Sequence, residues 1–229
     1  MKKRVMWVAL LLLGAQGWMV ESRAAKPGPL APESETRCEA GYGRPPHGPA
    51  KGYVKDAWTV WFRGREVREA SAQSFVDLGY GYGKDNWAVF FEGSKIKEAA
   101  AQSFAVLAGG YARDNWKVFW EGAPMADAAA SSFVALGGGY ARDNWKVFWA
   151  GKPIRDAAVN SFAVLGEGYA RDNWKVFWCG RELPDADPQS FEVLGRGYAR
   201  DNWKIWYCGR EANGRMPGDP GRPDHSGRP

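Results

Sequence analysis

Aromatic and polar residues recur along the middle of the chain at intervals of 29 residues, and no insertion or deletion interrupts six units. The interval relates series of tyrosines, aspartates, tryptophans, glycines and phenylalanines. Their members are Tyr53, Tyr82, Tyr111, Tyr140, Tyr169 and Tyr198; Asp56, Asp85, Asp114, Asp143, Asp172 and Asp201; Trp58, Trp87, Trp116, Trp145, Trp174 and Trp203; Gly64, Gly93, Gly122, Gly151, Gly180 and Gly209; and Phe75, Phe104, Phe133, Phe162 and Phe191. A fixed period of this length predicts a tandem repeat, in which each unit is one small supersecondary motif.

The unit that begins at Tyr140 has the pattern of a short antiparallel meander. Residues 145–149 (Trp-Lys-Val-Phe-Trp) are rich in aromatic and β-branched side chains, which is typical of a strand. Asp143-Asn144 predicts a turn before this strand, because both side chains can bond nearby backbone groups. Ala150-Gly151 predicts a second turn, and residues 152–154 are expected to return as a brief further strand.

The end of each unit has the spacing of a short helix. Over residues 156–165, Ala158, Phe162 and Leu165 fall on one helical face. Asp187-Pro188 in the next unit suits a helix start, and Gly166 suits a helix end. Neither a two-turn helix nor a single hairpin is stable alone in water, so the units are expected to stack on one another.

These elements predict a β-rich α+β tandem repeat, with six 29-residue units of β-hairpin plus short helix stacked in a curved, solenoid-like array. A closed, propeller-like ring is the alternative, because six units are enough to close. Strand alternation puts Trp145 on the same face as Val147 and Trp149. In-register stacking then predicts that Trp116, Trp145 and Trp174 form a buried ladder.

The beginning of the chain resembles a targeting segment. Basic residues 2–4 precede the apolar run 5–13, and Ser22-Arg23-Ala24 supplies small residues at a cleavage site. We therefore expect a signal peptide over 1–24 and export to the periplasm, the cell surface or the medium. A retained anchor is the alternative, although an apolar stretch of about 16 residues is short for a membrane span. Residues 25–52 read as a Pro-rich linker, 53–209 as the repeat array and 210–229 as a disordered tail.

Charge and composition narrow the range of functions. The formal net charge is +5, but residues 1–24 contribute +3 of it, and residues 53–209 hold 19 basic and 19 acidic residues. No net basic face is left for a nucleic acid, and no membrane span is expected after signal cleavage. Both histidines, His47 and His225, lie outside the array. Without a histidine to activate a nucleophile, and without a phosphate-binding glycine loop, we expect no enzyme and no cofactor.

Two sets of residues in the array are candidates for binding. The second aromatic residue of each strand lies next to a turn, where partial exposure would allow it to stack on sugar rings. These strand-end aromatics are Phe91, Trp120, Trp149, Trp178 and Tyr207. The repeated aspartates are the second set, as ligands for Ca²⁺. A turn role is favoured for them, because the loops lack alternating acidic residues and a neighbouring base offers each carboxylate a charge partner. These bases are Arg113, Arg142, Arg171 and Arg200.

The three cysteines point to a disulfide rather than to a metal site. Cys179 and Cys208 occupy equivalent positions in consecutive units. In an oxidising compartment we expect them to pair, and a bond from Cys38 to either of them is the rival hypothesis. No metal site is predicted.

The units resemble the bacterial DKNYY repeat. The resemblance rests on Tyr-Ala-Arg-Asp followed by a polar turn, Val, two aromatics and Gly, and on the run Ala186–Gly195. It covers about residues 52–210. Asn-Trp stands where the family has Lys-Asn, and Phe-Trp or Phe-Phe replaces the tyrosine pair. The family has no assigned function, so the resemblance implies a repeat architecture and supplies no catalytic residues.

Repeat arrays present extended surfaces and commonly bind partners by them. The sequence therefore leads us to expect an exported, non-catalytic interaction or scaffold module of the bacterial cell envelope. Its partner would be an envelope protein or a cell-wall glycan. The alternative is a carbohydrate- or cell-wall-binding module that uses the strand-end aromatics.

Overall fold

The computed structural model describes residues 52–212, and the structural statements below refer to this part of the chain. The predicted signal peptide at 1–24 and nearly all of the linker predicted over 25–52 lie outside it, as does the predicted tail from residue 213 onward. Within the described part, no helix has both the length and the apolar character needed to cross a membrane.

Residues 52–212 form 23 short strands in six separate sheets. The first sheet holds β1 (Tyr53–Lys55), β2 (Val60–Phe62) and β3 (Arg65–Glu66). The second holds β4 (Val76–Gly79), β5 (Tyr82–Lys84), β6 (Val89–Phe91) and β7 (Ser94–Lys95), and the third β8 (Ala105–Val106), β9 (Tyr111–Arg113), β10 (Val118–Trp120) and β11 (Ala123–Met125). The fourth holds β12 (Val134–Gly137), β13 (Tyr140–Arg142), β14 (Val147–Trp149) and β15 (Lys152–Pro153). The fifth holds β16 (Ala163–Gly166), β17 (Tyr169–Arg171), β18 (Val176–Trp178) and β19 (Arg181–Glu182), and the sixth β20 (Glu192–Gly195), β21 (Tyr198–Arg200), β22 (Ile205–Tyr207) and β23 (Arg210–Glu211).

Each sheet is an antiparallel meander, as the repeat pattern predicts. In the fourth sheet, Tyr140 pairs with Trp149 and Arg142 pairs with Val147. The turn between β14 and β15 has positive φ at both central residues, 46° at Ala150 and 75° at Gly151. This is the requirement of a type I′ hairpin turn, and it explains the glycine at the same place in every unit.

The α-helix predicted over 156–165 is wrong, and residues 52–212 contain no α-helix. Only one 3₁₀ turn forms there, at Val159–Ser161. The next residues, Ala163–Gly166, are strand β16, which pairs with β17 of the following unit. A short apolar run fits a strand as well as a helix. Pairing with the neighbouring unit satisfies its backbone groups, whereas a helix of this length cannot sustain itself.

The core lies between consecutive sheets. Phe133, in the loop before β12, sits between Tyr111 of one unit and Phe148 of the next, with ring centroids 5.3 Å and 5.7 Å away. Phe148 and Tyr140 are completely buried. Each unit thus completes its core only with its neighbour, which is the expected behaviour of a stacked repeat.

A tyrosine hydroxyl joins each pair of consecutive units. Tyr111 donates a hydrogen bond to the carbonyl of Gly139 at 2.9 Å and accepts one from the N–H of Gly151 at 3.1 Å. The same two bonds are made by Tyr53, Tyr82, Tyr140 and Tyr169. Burial raises the pKa of Tyr53, Tyr82, Tyr111 and Tyr169, to about 12 for Tyr169, so these hydroxyls stay protonated and can donate.

Candidate functional site

Each aspartate of the repeated series forms the turn that precedes the aromatic-rich strand of its unit, as Asp143 does before β14. Asp143 Oδ1 accepts the N–H groups of Trp145 and Lys146, both at 2.7 Å. Its Oδ2 accepts the N–H of Ala129, in the loop before, at 2.8 Å. Asp143 is buried. The same three hydrogen bonds, from the equivalent backbone N–H groups, are accepted by Asp85, Asp114, Asp172 and Asp201. Both carboxylate oxygens are therefore occupied by backbone, as the turn role predicts.

Asp201, in the last described unit, shows how this turn affects the pKa of the repeated carboxylate. Burial raises the pKa of Asp201, but the N–H groups of Trp203, Asp187 and Lys204 outweigh it and hold the pKa below its usual range. A buried carboxylate that accepts several N–H bonds stays ionised. Within residues 52–212, no cluster of three or more His, Cys, Asp or Glu side chains is placed to hold a metal ion.

Other polar residues of the repeat also have backbone partners. The Oγ of Ser132 accepts the N–H of Asn144 at 3.2 Å, so the serine braces the turn instead of capping a helix. Arg113, expected to pair with an aspartate, donates instead to the carbonyl of Ala130 at 2.7 Å. Arg142 and Arg171 make the corresponding bond, and Arg200 bonds Glu192.

The tryptophan series is exposed on these turns, so the predicted buried ladder of Trp116, Trp145 and Trp174 is wrong. Strand β14 begins at Val147, so Trp145 belongs to the turn and the two-residue alternation of the strand does not reach it. Its side chain is 79% exposed, and the other five members are equally open at 78–84%. They are Trp58, Trp87, Trp116, Trp174 and Trp203. The backbone of each indole is fixed while its ring faces solvent.

Polar residues stand on both sides of the tryptophan in the last four units. Asn86, Asn115, Asn144, Asn173 and Asn202 precede the indoles of units two to six, and all five are exposed. Lys117, Lys146, Lys175 and Lys204 follow the indoles of the last four units, and each forms an ion pair with a carboxylate. The surface around each indole of the last four units thus offers an amide, an aromatic face and a compensated charge.

The strand-end aromatics lie between units. Trp149 is half-buried, and a Cβ placed on Gly180 of the next hairpin would come within 2.8 Å of the Trp149 Cβ. Phe91, Trp120 and Trp178 cover Gly122, Gly151 and Gly209 in the same way. Tyr207, in the last described unit, is half-buried against Tyr198 at 4.6 Å between ring centroids. The buried Nε1 atoms of Trp149 and Trp178 have no hydrogen-bond partner among residues 52–212.

The predicted Cys179–Cys208 disulfide is wrong. Cys179 is a buried free thiol, whereas Cys208 is disulfide-bonded. Burial raises the pKa of the Cys179 thiol to about 11, although Arg181 acts in the opposite direction. Cys179 is the first central residue of a type I′ turn, and its side chain packs in the apolar cluster that contains Tyr169 and Trp178. The rival pairing through Cys38 lies outside the described residues.

The strongest signal that sequence reasoning missed is the Asp-x-Trp spacing. An aspartate that accepts the N–H groups two and three residues ahead forms a turn and places the tryptophan at its tip. Extending the two-residue alternation of the strand back to the tryptophan instead puts its side chain on the same face as Val147 and Trp149.

Comparison with known proteins gives one family match. The model of the DKNYY family matches residues 53–210, which is more than half of the chain. No curated protein and no solved structure matches.

Proposed function

The chain belongs to the DKNYY family, and on this premise we propose that it is an exported, non-catalytic interaction module of the bacterial cell envelope. The observation that carries the proposal is the exposure of the whole tryptophan series, at 78–84% of each side chain. Tryptophan is normally among the more buried residues, and an exposed apolar surface that recurs in this way marks a contact site.

Comparison between the units supports a functional reason for these indoles. The exposed first residue of the last strand in each sheet changes from one unit to the next. In chain order it is Arg65, Ser94, Ala123, Lys152, Arg181 and Arg210. The tryptophan, which is also exposed, is the same in all six units. Packing explains why buried positions repeat, but an indole that is about four-fifths exposed has little packing to preserve. Contact with a partner supplies the missing reason.

The assignment as a non-catalytic protein is supported by the use made of the polar side chains. The repeated aspartate, serine and tyrosine groups are engaged in backbone hydrogen bonds that hold turns and units together. A nucleophile or general base needs a free reactive group and a partner poised to activate it. The support for export comes from the sequence alone, through the basic and apolar residues of segment 1–24.

For the arrangement of the units, we propose the solenoid-like array. It is supported by the tyrosine bonds, each of which joins one unit to the next along the chain. As the contact surface, the tryptophan series is favoured over the strand-end aromatics, because four of the five strand-end rings pack on the following hairpin.

The test is a pull-down from the native cell envelope with the tagged chain and two variants. The first variant carries Trp116→Ala, Trp145→Ala and Trp174→Ala. The matched control carries Val76→Ala and Val134→Ala, which remove exposed apolar side chains elsewhere. The control changes are conservative, since the equivalent residues are Ala105 and Ala163.

We expect the parent chain and the control to retain the same envelope component and the tryptophan variant to lose it. Retention of that component by the tryptophan variant would contradict the proposal, as would the absence of any retained component.

A further inference from the structure

Resting on this proposed function, we propose that the tryptophan series binds an uncharged glycan chain, with several indoles stacking on sugar rings of the same polymer. The proposal moves the carbohydrate contact away from the strand-end aromatics. It follows from the chemistry beside each indole, the charge of the surface, the rigidity of the turns and the repetition of the site.

The chemistry beside the indoles of units two to six matches the two sides of a sugar ring. A pyranose has an apolar face of C–H groups and an edge of hydroxyls. The exposed Trp145 offers an aromatic face and an indole N–H, and the exposed Asn144 next to it offers both a donor and an acceptor. The same pair recurs as Asn86-Trp87, Asn115-Trp116, Asn173-Trp174 and Asn202-Trp203.

The charge of the surface favours an uncharged ligand. Lys146 lies 3.4 Å from the carboxylate of Asp127, and Lys175 lies 2.8 Å from that of Glu182. Lys117 pairs with Glu98, and Lys204 pairs with Glu211 at 3.0 Å. The first two units have Thr59 and Ala88 at this position. Because every lysine of this set is paired with a carboxylate, the lysines beside the indoles do not supply the uncompensated positive charge that draws an anionic polymer to a protein.

The turns hold the indole backbones in place before any ligand arrives. The backbone N–H of Trp145 donates a hydrogen bond to Asp143, and the turn is tied to the preceding loop through Ala129 and Ser132. A binding group on a backbone that is already ordered loses less entropy on association than one on a loose loop.

The repetition favours a polymer over a folded protein. The contacts that join one unit to the next are the same along the array, so the indole recurs in one position relative to them. A folded partner presents a non-repeating surface and has no use for identical contacts. A glycan chain repeats its own chemistry, so one polymer can engage several units, and each further contact is then intramolecular.

The experiment titrates the purified chain with oligosaccharides of one to six residues and follows tryptophan emission and calorimetry. The probes are N-acetylglucosamine, β-1,4-glucose and α-1,4-glucose oligomers, with heparin as the anionic comparison. We expect one uncharged series to shift the emission, with the hexamer binding at least about tenfold more tightly than the dimer because it reaches more indoles. Heparin should not bind at physiological salt.

The same two variants are titrated in parallel. Trp116→Ala/Trp145→Ala/Trp174→Ala should weaken hexamer binding at least about tenfold with its urea midpoint unchanged, whereas Val76→Ala/Val134→Ala should bind like the parent. The proposal is overturned if none of the three series binds by millimolar concentration, if heparin binds more tightly than they do, or if the triple variant binds normally. If the pull-down then retains a protein only when the tryptophans are intact, the proposal of an interaction module is kept and the glycan ligand is rejected.

Discussion

The hydroxyl of Tyr111 lies 3.1 Å from the backbone nitrogen of Gly151, 40 residues further along the chain, and accepts its hydrogen bond. The same oxygen donates to the carbonyl of Gly139. One side chain therefore bonds two backbone groups of the next unit, both at the end of the strand pair where Tyr140 of Tyr140–Arg142 faces Trp149 of Val147–Trp149. Because this bridge repeats, the stability of each interface depends on an atom that phenylalanine lacks.

Tyr111→Phe should lower the free energy of unfolding by about 1–3 kcal/mol, because it leaves the Gly151 N–H without its partner and removes one of the two hydrogen bonds that the Gly139 carbonyl accepts. Urea unfolding followed by circular dichroism measures the loss. Tyr198→Phe is the matched control, because Tyr198 holds the same position in the last described unit and no further unit follows within residues 52–212 for its hydroxyl to join. Equal losses in the two variants would contradict the bridging role.

Trp149→Ala and Trp145→Ala should differ in their effect on stability, although the residues are four positions apart. Trp149 is half-buried over Gly180, so its removal leaves a gap between units and should cost about 2–4 kcal/mol. Trp145 is 79% exposed, so its removal should change the free energy of unfolding by less than about 0.5 kcal/mol. Thermal unfolding of both variants measures the difference, and a larger loss for Trp145→Ala would reverse the assignment of the two faces.

Gly180→Ala should destabilise the chain more than Gly64→Ala. Both glycines occupy the same position of the type I′ turn, with φ of 74° and 78°, so both substitutions introduce similar backbone strain. A Cβ at Gly180 also meets Trp149 at 2.8 Å, whereas nothing lies within 4 Å of one at Gly64. The difference between their urea midpoints measures the clash between units, and identical midpoints would show that the ring moves aside freely.

The Cys179 thiol should react slowly in the folded chain. Burial raises its pKa to about 11, and the thiolate is the reactive form. At pH 8, reaction with a disulfide reagent should be about a hundredfold slower in the folded chain than in urea, both without reductant. Cys179→Ser identifies the signal, because it should remove the phase that urea accelerates. Rapid labelling of Cys179 under native conditions would contradict its burial.

Stability should fall at alkaline pH because of the bridging tyrosines. Burial raises the pKa of Tyr169 from 10.0 to about 12, against the opposing hydrogen bond from Gly209. The folded state therefore favours the neutral phenol. Its contribution is complete below the unfolded pKa, and between about pH 10 and 12 each such tyrosine loses about 1.4 kcal/mol per pH unit.

Urea midpoints at pH 8, 9.5 and 11 measure this loss. Tyr169→Phe is less stable at pH 8 but should lose less on going to pH 11, because it has one fewer phenol to ionise. Parallel curves for the parent chain and Tyr169→Phe would exclude ionisation of Tyr169 as a cause of the alkaline loss.

The sequence alone determined the features that depend on neighbours a few residues away. The 29-residue period, the Asp143-Asn144 turn, the glycine turn at Ala150-Gly151 and the aromatic strand between them all followed from local spacing and turn chemistry. The same local pattern was sufficient for the family resemblance, which the match over residues 53–210 bears out.

Tertiary structure decided the features that depend on the next unit. Residues 163–166 form a strand because Tyr169–Arg171 offers them a pairing edge, and Cys179 is a buried free thiol in the packed core of its unit. Trp145 is exposed and Trp149 half-buried because the strand begins only at Val147. That start is set by a carboxylate whose second oxygen is bonded to the preceding loop. A two-residue alternation does not locate that start, because the turn that interrupts it is formed by Asp143 with the N–H groups of Trp145 and Lys146 and is tied to the preceding loop at Ala129.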